Sequence, residues 1–245
     1  ETGGIPGRPI GDGMDGHSWW PLFENIPTEY LESYYPVRID GYTTITDSGG
    51  AGFHRGGNGI EKRYVYLEPG EVSIHDDRWL TYPWGILGGK PGARSEKILK
   101  RADGSEQILP SKCDEVEVTP GDMLVYRTAG GGGWKDPLVR PIEIVEADVA
   151  KGRVSADKAK SDYGVVAGDA AASEDLRVKM KAERGEVKDF DMGPALDEIL
   201  ASCQAETGLE PPVPQDPLPW AEMESDEDAL RRVREHGDRQ MTQTE

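Results

Sequence analysis

A short charged segment holds the densest set of side chains that could do acid–base or anion chemistry. Residues 73–79 read Ser-Ile-His-Asp-Asp-Arg-Trp, so an imidazole, two carboxylates and a guanidinium are consecutive. In a strand, His75 and Asp77 share a face, and a neighbouring carboxylate orients an imidazole. His75, Asp77 and Arg78 are therefore candidate catalytic residues. The alternative is an ion-pair cluster at a strand end, since exposed pairs of this kind are common and weak.

A glycine-rich loop at 48–59 carries a second candidate, Arg55. Glycine lets a backbone adopt positive φ and approach a neighbour closely, so this loop could present Arg55 and backbone N–H groups to an anion or a carbonyl oxygen. Gly56, Gly57 and Gly59 are the candidates for substrate-proximal backbone. No Gly-Lys-Ser/Thr follows, so this is not a Walker A phosphate loop. A purely structural cluster of turns is the alternative.

The run Gly130–Gly133 is the third feature. Ordering each glycine costs about 0.5–1 kcal/mol more than ordering alanine, which suggests a backbone that must pass very close to something. Gly131 and Gly132 are candidates for backbone beside a substrate, and a structural role is an equal alternative.

If Arg55 is a donor to developing oxyanion charge, Arg55→Ala should lower turnover on the order of 10²-fold, more than it lowers stability.

The part of the chain that holds these motifs has a strand pattern. From residue 37 to residue 128, short β-branched and aromatic segments alternate with Gly, Pro and Asp turns. Segment 102–105 predicts a hairpin turn, and segment 119–122 predicts a second tight turn. The sequence therefore predicts a β-sandwich or another multi-sheet antiparallel assembly.

After Pro137 the apolar spacing becomes helical. The predicted fold class is α+β: mainly antiparallel, sandwich-like sheets in the first two-thirds, then short helices and an extended Pro-rich acidic tail. The expected boundaries are a helix capped by Ser155 and ending near Gly164, a helix starting at Ser173, and a helix from Ala195 to Thr207, opened by Pro194 and closed by Gly208.

The composition shifts divide the chain into four segments. We predict a Gly/Pro-rich aromatic lead-in (1–36), a β-rich domain (37–140), a helical region (141–209), and a Pro-rich linker with a charged tail (210–245). Trp19 to Phe23 form an apolar cluster too large to leave exposed on a monomer. We expect 1–36 and the 211–219 linker to pack against another polypeptide.

Charge excludes several function classes. Lys and Arg number 28 against 46 Asp and Glu, and the net charge of -18 disfavours nucleic acid and anionic lipid as partners. No apolar run reaches the roughly 20 residues that cross a bilayer.

Cys113 and Cys203 lack metal-ligand spacing and are interpreted as free thiols, which favours a cytoplasmic location. The chain starts at Glu1 without an initiator Met, so we expect it to be one product of a cleaved or split longer polypeptide, with an engineered boundary as the alternative.

Many ordered segments resemble one family. They are 32–38, 47–52, 55–59, 83–85, 88–89, 91–93, 109–112, 120–122, 130–134, 136–138 and 162–166. In this order they resemble the carboxy-terminal region of the hydantoinase B/oxoprolinase family, which includes acetone and acetophenone carboxylase subunits. The resemblance covers about residues 18–168. The family pattern GGGGWGDP has Gly where this chain has Lys135, which leaves a backbone role of that position open.

The resemblance implies a multi-subunit, ATP-dependent reaction on a carbonyl compound. The expected partners are a hydantoinase A-type subunit that binds ATP and Mg, an amino-terminal hydantoinase B-type chain that holds a divalent metal (Zn or Mn), and a small-molecule substrate. This chain alone is expected to bind no cofactor. Hydrolysis of a cyclic amide (a hydantoin, a lactam or an oxoproline-like compound) is favoured. Ketone carboxylation, or a scaffolding role without catalysis, are the alternatives.

Overall fold

The computed structural model describes residues 2–17 and 25–210. The predicted Trp19–Phe23 cluster and the 211–219 linker lie outside these residues. The elements in chain order are α1 (Thr28–Tyr34), β1 (Val37–Thr44), β2 (Ile60–Tyr66), β3 (Gly70–His75), β4 (Gly85–Ile86), β5 (Glu96–Lys100), β6 (Glu106–Ile108), β7 (Lys112–Val118), β8 (Met123–Arg127), a 3-10 turn (Pro137–Val139), α2 (Ile142–Ala150), α3 (Ala156–Tyr163), α4 (Ala170–Glu183), β9 (Phe190–Asp191) and α5 (Leu196–Thr207).

The β half contains a five-stranded antiparallel sheet, ordered β1-β2-β8-β5-β6, and a two-stranded sheet formed by β3 and β7. The two sheets share one apolar core. Ile74 and Val118 come from the small sheet, and Leu99 and Leu124 come from the large one. This packing confirms the predicted α+β class with sandwich-like antiparallel sheets.

Both predicted turns join strands as expected. Segment 102–105 connects β5 to β6, with Gly104 at a φ of +90°. Segment 119–122 connects β7 to β8, with Gly121 also at +90°. The buried Asp122 carboxylate accepts hydrogen bonds from the backbone N–H of Thr119 (2.9 Å) and of Ala102 (2.8 Å). One carboxylate therefore holds both turns at the same end of the sandwich.

The helices pack around a second apolar core of Val145, Val154, Tyr163 and Val165. The hydroxyl of Ser155 accepts the N–H of Lys158 at 3.1 Å, and Gly164 closes α3 in the left-handed region, as predicted.

Other helix boundaries differ from the prediction. Helix α4 starts at Ala170 and not at Ser173, because the Asp169 side chain caps it by accepting the N–H of Ala172 (2.9 Å). Helix α5 starts at Leu196, one residue later than expected, and Gly208 ends it at a φ of +70°. Within the described ranges, no helix is long and apolar enough to cross a membrane.

Two short elements were not predicted. Helix α1 has no buried residue, so it lacks the apolar face by which helices are recognised in sequence. Strand β9 has two residues and pairs with β4, with Gly85 opposite Asp191 and Ile86 opposite Phe190. One strand of the helical region therefore pairs with a strand of the β half. A strand of two residues is too short to show the alternating pattern by which strands are predicted.

Candidate functional site

A groove of about 610 Å³ opens where β3 and β8 end. This volume falls within the usual range for a small-molecule site. Four parts of the chain line it: the N-terminal segment 2–6 with His17, the loop 75–78, the pair 83–84, and the stretch 126–132 without residue 127. The sandwich supplies the ends of two strands, and the loops that follow both strands line the groove.

Three of the four predicted catalytic side chains line this groove. His75 Nε2 lies 3.1 Å from Asp114 Oδ1, and both side chains are largely exposed. The Arg78 guanidinium lies 4.9 Å from the centre of the Trp84 ring, in cation–π contact. The backbone of Arg78 has a φ of +61°, an uncommon conformation for a side chain of this size. Asp77 is 93% exposed and lies 3.4 Å from Lys112 Nζ.

A further carboxylate that lines the groove, Asp76, was not among the predicted site residues. Its Oδ2 atom accepts a hydrogen bond from Ser95 Oγ at 2.5 Å and forms an ion pair with Lys97 Nζ. The Lys97 side chain is fully buried, and burial lowers the pKa of its ammonium to about 7. The negative charge of Asp76 acts against this shift, because it favours the charged amine.

A sequence signal for Asp76 did exist. Alternation along β5 places Lys97 on the same inner face as the buried Leu99. A lysine at a core position requires a carboxylate partner, because an unpaired buried charge is very costly. Strand β3 ends at His75. The strand alternation that predicted a shared face for His75 and Asp77 therefore does not apply to Asp77, which lies in the loop that follows.

Arg55 lies outside the set of groove-lining residues, in a buried ion-pair network. Its guanidinium binds Asp15 in two places, with Nη1–Oδ1 at 2.8 Å and Nη2–Oδ2 at 3.1 Å. Nε lies 3.6 Å from Asp148 Oδ1. These contacts join the lead-in segment, the glycine-rich loop and α2.

Arg140 completes this network from the start of the helical region. It binds both oxygens of Asp12 at 2.7 Å, and its Nη2 lies 2.7 Å from Asp148 Oδ2. Burial tends to raise the pKa of Asp12, but the hydrogen bonds and charge of Arg140, with help from Arg55, lower it overall. Burial also opposes a lowered pKa at Asp15, and there the Arg55 contacts prevail. Both carboxylates are thus held in their charged form.

The predicted glycines separate into two layers. Gly131 and Gly132 line the groove, whereas Gly56, Gly57 and Gly59 are buried behind it. The layers are bonded to each other, since Gly131 N–H donates to Gly57 O at 2.9 Å. A Cβ atom added at any of these five glycines would overlap backbone atoms of another segment. The close approach that four consecutive glycines indicated is therefore an approach of backbone to backbone.

Arg55 contacts the buried glycine layer, Gly56, Gly57 and Gly59, that packs against the groove-lining glycines. Its Nη1 also donates to Gly56 O at 2.8 Å, next to the carbonyl of Gly57 that holds Gly131. The effect of Arg55 on turnover stays a prediction, and the contacts of its guanidinium place this residue behind the groove wall. Gly132 lines the groove, and its backbone N–H donates to no protein acceptor within residues 2–17 and 25–210.

Lys135 occupies a backbone position that suits glycine. Its φ is +60°, and its Nζ lies 4.7 Å from the centre of the Trp134 ring. Left-handed backbone costs a residue with a Cβ about 1–2 kcal/mol.

We expect Lys135→Gly to be more stable than Lys135→Ala by about 0.5–1 kcal/mol, because both lose the ring contact but only glycine relieves the strain. Urea denaturation of the two variants measures the difference. Lys151 is exposed at a φ of −88°, and there the alanine variant should be the more stable one. Equal stability of the Lys135 variants would contradict the strain.

The sequence profile described as Hydantoinase B/oxoprolinase matches residues 1–137, more than half of the chain. The chain belongs to the hydantoinase B/oxoprolinase family. This membership confirms the resemblance carried by the ordered glycine, proline and aromatic segments. The profile ends at Pro137, so it contains the whole groove lining and Arg55, whereas Arg140 and Asp148 lie beyond it.

Individual relatives agree with the family. The caprolactamase subunit beta of Pseudomonas jessenii is 39% identical over 147 residues, which are 56% of this chain and 24% of that protein. The crystal structure of the ATP-dependent caprolactamase from Pseudomonas jessenii superposes with a TM-score of 0.60 and 29% identity, over 72% of this chain and 32% of that one. A nucleotide-free acetone carboxylase structure superposes with a TM-score of 0.59 over 80% of this chain and 31% of that one; at 20% identity it shows a shared fold.

This chain is shorter than its relatives. It spans about a quarter of the length of the first curated relatives that it matches. These relatives include subunits of enzymes, so the family relationship is to parts of larger proteins.

Proposed function

We propose that this chain forms one wall of a small-molecule site in an ATP-dependent enzyme that hydrolyses a cyclic amide. The observation that carries the proposal is the groove, which charged loop residues and glycine backbone line together at the ends of two strands. The family, and a caprolactamase subunit at 39% identity, support a lactam or a related cyclic amide as the substrate class.

The groove residues are suited to polarising a carbonyl group. Hydrolysis of an amide places negative charge on the carbonyl oxygen, and donors aimed at that oxygen stabilise it. Arg78 supplies a permanent positive charge, and Gly132 supplies a backbone N–H on the groove side. His75 and Asp77 stand beside Arg78 and can bind a polar substituent. Arg55 acts indirectly, by holding the glycine layer.

Partner chains supply the remaining chemistry in this proposal. We propose a hydantoinase A-type subunit that binds ATP and Mg, and an amino-terminal hydantoinase B-type chain with a Zn or Mn ion, acting together in the cytoplasm. Among the described residues of this chain, no group of three or more His, Cys, Asp or Glu side chains could hold a metal ion. No step is therefore assigned to a metal on this chain.

Reconstitution tests the proposed function. We expect the complex of this chain with the rest of the B-type subunit and an A-type subunit to consume ATP when hydantoin, 5-oxoproline or caprolactam is added, and to open the ring. This chain alone should do neither. Ring opening is followed by chromatography and ATP use by phosphate release. ATP use with bicarbonate and a ketone, but with none of the three amides, would instead support a carboxylase.

A further inference from the structure

The two oxygens of the Asp76 carboxylate differ in their contacts. Oδ2 is occupied by Ser95 Oγ and Lys97 Nζ, whereas Oδ1 has no hydrogen-bond partner within the described residues. The side chain is 17% exposed, and Asp76 lines the groove. Oδ1 is not among the buried side-chain atoms that lack a partner, so it is open to solvent on a residue that lines the groove.

Ser95 and Lys97 fix the direction of this carboxylate. Lys97 is buried on the inner face of β5, with its Nζ 3.0 Å from Ser95 Oγ and 5.2 Å from the centre of the Tyr126 ring. Ser95 Oγ also lies 3.0 Å from the backbone oxygen of Asp77, although its single proton is used in the shorter bond to Asp76. These contacts restrict the orientation of the Asp76 carboxylate, whereas the Asp77 carboxylate is exposed.

From this geometry we infer that Asp76 Oδ1 is the acceptor that binds the ring N–H of the substrate, and that Lys97 is its positioning residue. The inference rests on the proposed function and narrows it to cyclic amides with an unsubstituted nitrogen. A charged carboxylate forms a stronger hydrogen bond than a neutral acceptor, and a site built around an N–H rejects analogues that lack it. Asp76 is a specificity residue in this assignment, since it touches the substrate and donates no proton.

The test compares a cyclic amide with its N-methyl analogue in the reconstituted complex. For the amide that the complex hydrolyses, we expect kcat/KM to exceed that of the N-methyl analogue by about 10-fold to 100-fold. In Asp76→Asn the charge is lost while the shape is kept, so this ratio should fall by about tenfold. The exposed Asp175→Asn on α4 is the matched control and should keep the ratio.

Lys97→Met tests the positioning role. Without the amine that binds Oδ2 the carboxylate loses a contact that fixes its direction, so KM for the parent amide should rise about tenfold while kcat is kept. If neither variant assembles, Ser95→Ala is the milder change, because it removes a single hydrogen bond to Oδ2, and the ratio should fall about threefold.

The outcomes separate this inference from the proposed function. Hydrolysis of the parent and N-methyl amides at equal rates, or an unchanged ratio in assembled Asp76→Asn or Ser95→Ala, would overturn the role of Asp76 and leave amide hydrolysis standing. A lowered kcat with an unchanged KM in assembled Lys97→Met would overturn only the role of Lys97. Absence of hydrolysis of every cyclic amide would remove both.

Discussion

Replacing Arg55 by alanine should destabilise this chain by about 3–5 kcal/mol. The Arg55 side chain is 4% exposed, and the change leaves Asp15 and Asp148 without one of their cations. Breaking a buried ion pair from one side is costly because the remaining charge stays out of water. Chemical denaturation followed by far-UV circular dichroism measures the loss of unfolding free energy.

The matched control is Arg38→Ala on β1. Arg38 pairs with Asp40 at 3.5 Å with both side chains largely exposed, and surface pairs contribute about 0–1 kcal/mol. Arg55→Lys should recover only part of the loss, because an ammonium cannot reproduce the two parallel bonds to Asp15. An Arg55→Ala chain as stable as Arg38→Ala would mean that the network contributes little.

The second large effect is expected for Gly56→Ala, at about 3 kcal/mol or more. The added Cβ would overlap the carbonyl oxygens of Gly131 and Gly132. These are backbone atoms of the segment that lines the groove. Overpacking typically costs 1–3 kcal/mol where side chains can shift, and backbone atoms on the opposing segment shift less readily. Thermal unfolding of the variant, against the unchanged chain, measures the effect.

Gly185→Ala provides the control for this substitution. A Cβ at Gly185 meets nothing within 4 Å, and its φ is not positive. The variant should match the unchanged chain or gain about 0.4–1 kcal/mol, because alanine reduces the freedom of the unfolded state. Equal losses in the two variants would show that tight backbone packing is not the reason for Gly56.

Local signals predicted much of the fold. The turns at 102–105 and 119–122, the Ser155 cap and the Gly164 and Gly208 helix ends all depend on interactions within a few residues. The start of α4 was misplaced because Asp169 and Ser173 are both acceptable caps, and only the folded chain shows which one is used. The pairing of β4 with β9 spans about a hundred residues and has no local signature.

The candidate site was predicted in part for the same reason. His75, Asp77 and Arg78 were visible as consecutive charged residues, and the structure brings them to one groove with Gly131 and Gly132. Asp12, Asp15 and Asp148 were missed as partners of Arg55 because they come from segments 40 to 93 positions away. A glycine-rich loop with an arginine has the same local pattern whether the arginine faces a substrate or an internal carboxylate.

The glycine layer also has a consequence for folding kinetics. Gly4 N–H donates to Ala129 O, and Gly131 N–H donates to Gly57 O, so the layer joins three segments that are far apart in the chain. Contacts between distant residues form slowly, because each requires a long loop to close first. The hairpin of β5 and β6 can form early. The groove can form only after the N-terminal segment has packed against residues 129–131. A partly refolded chain in which these distant contacts have not formed would lack a complete groove, so ligand binding would report on their formation.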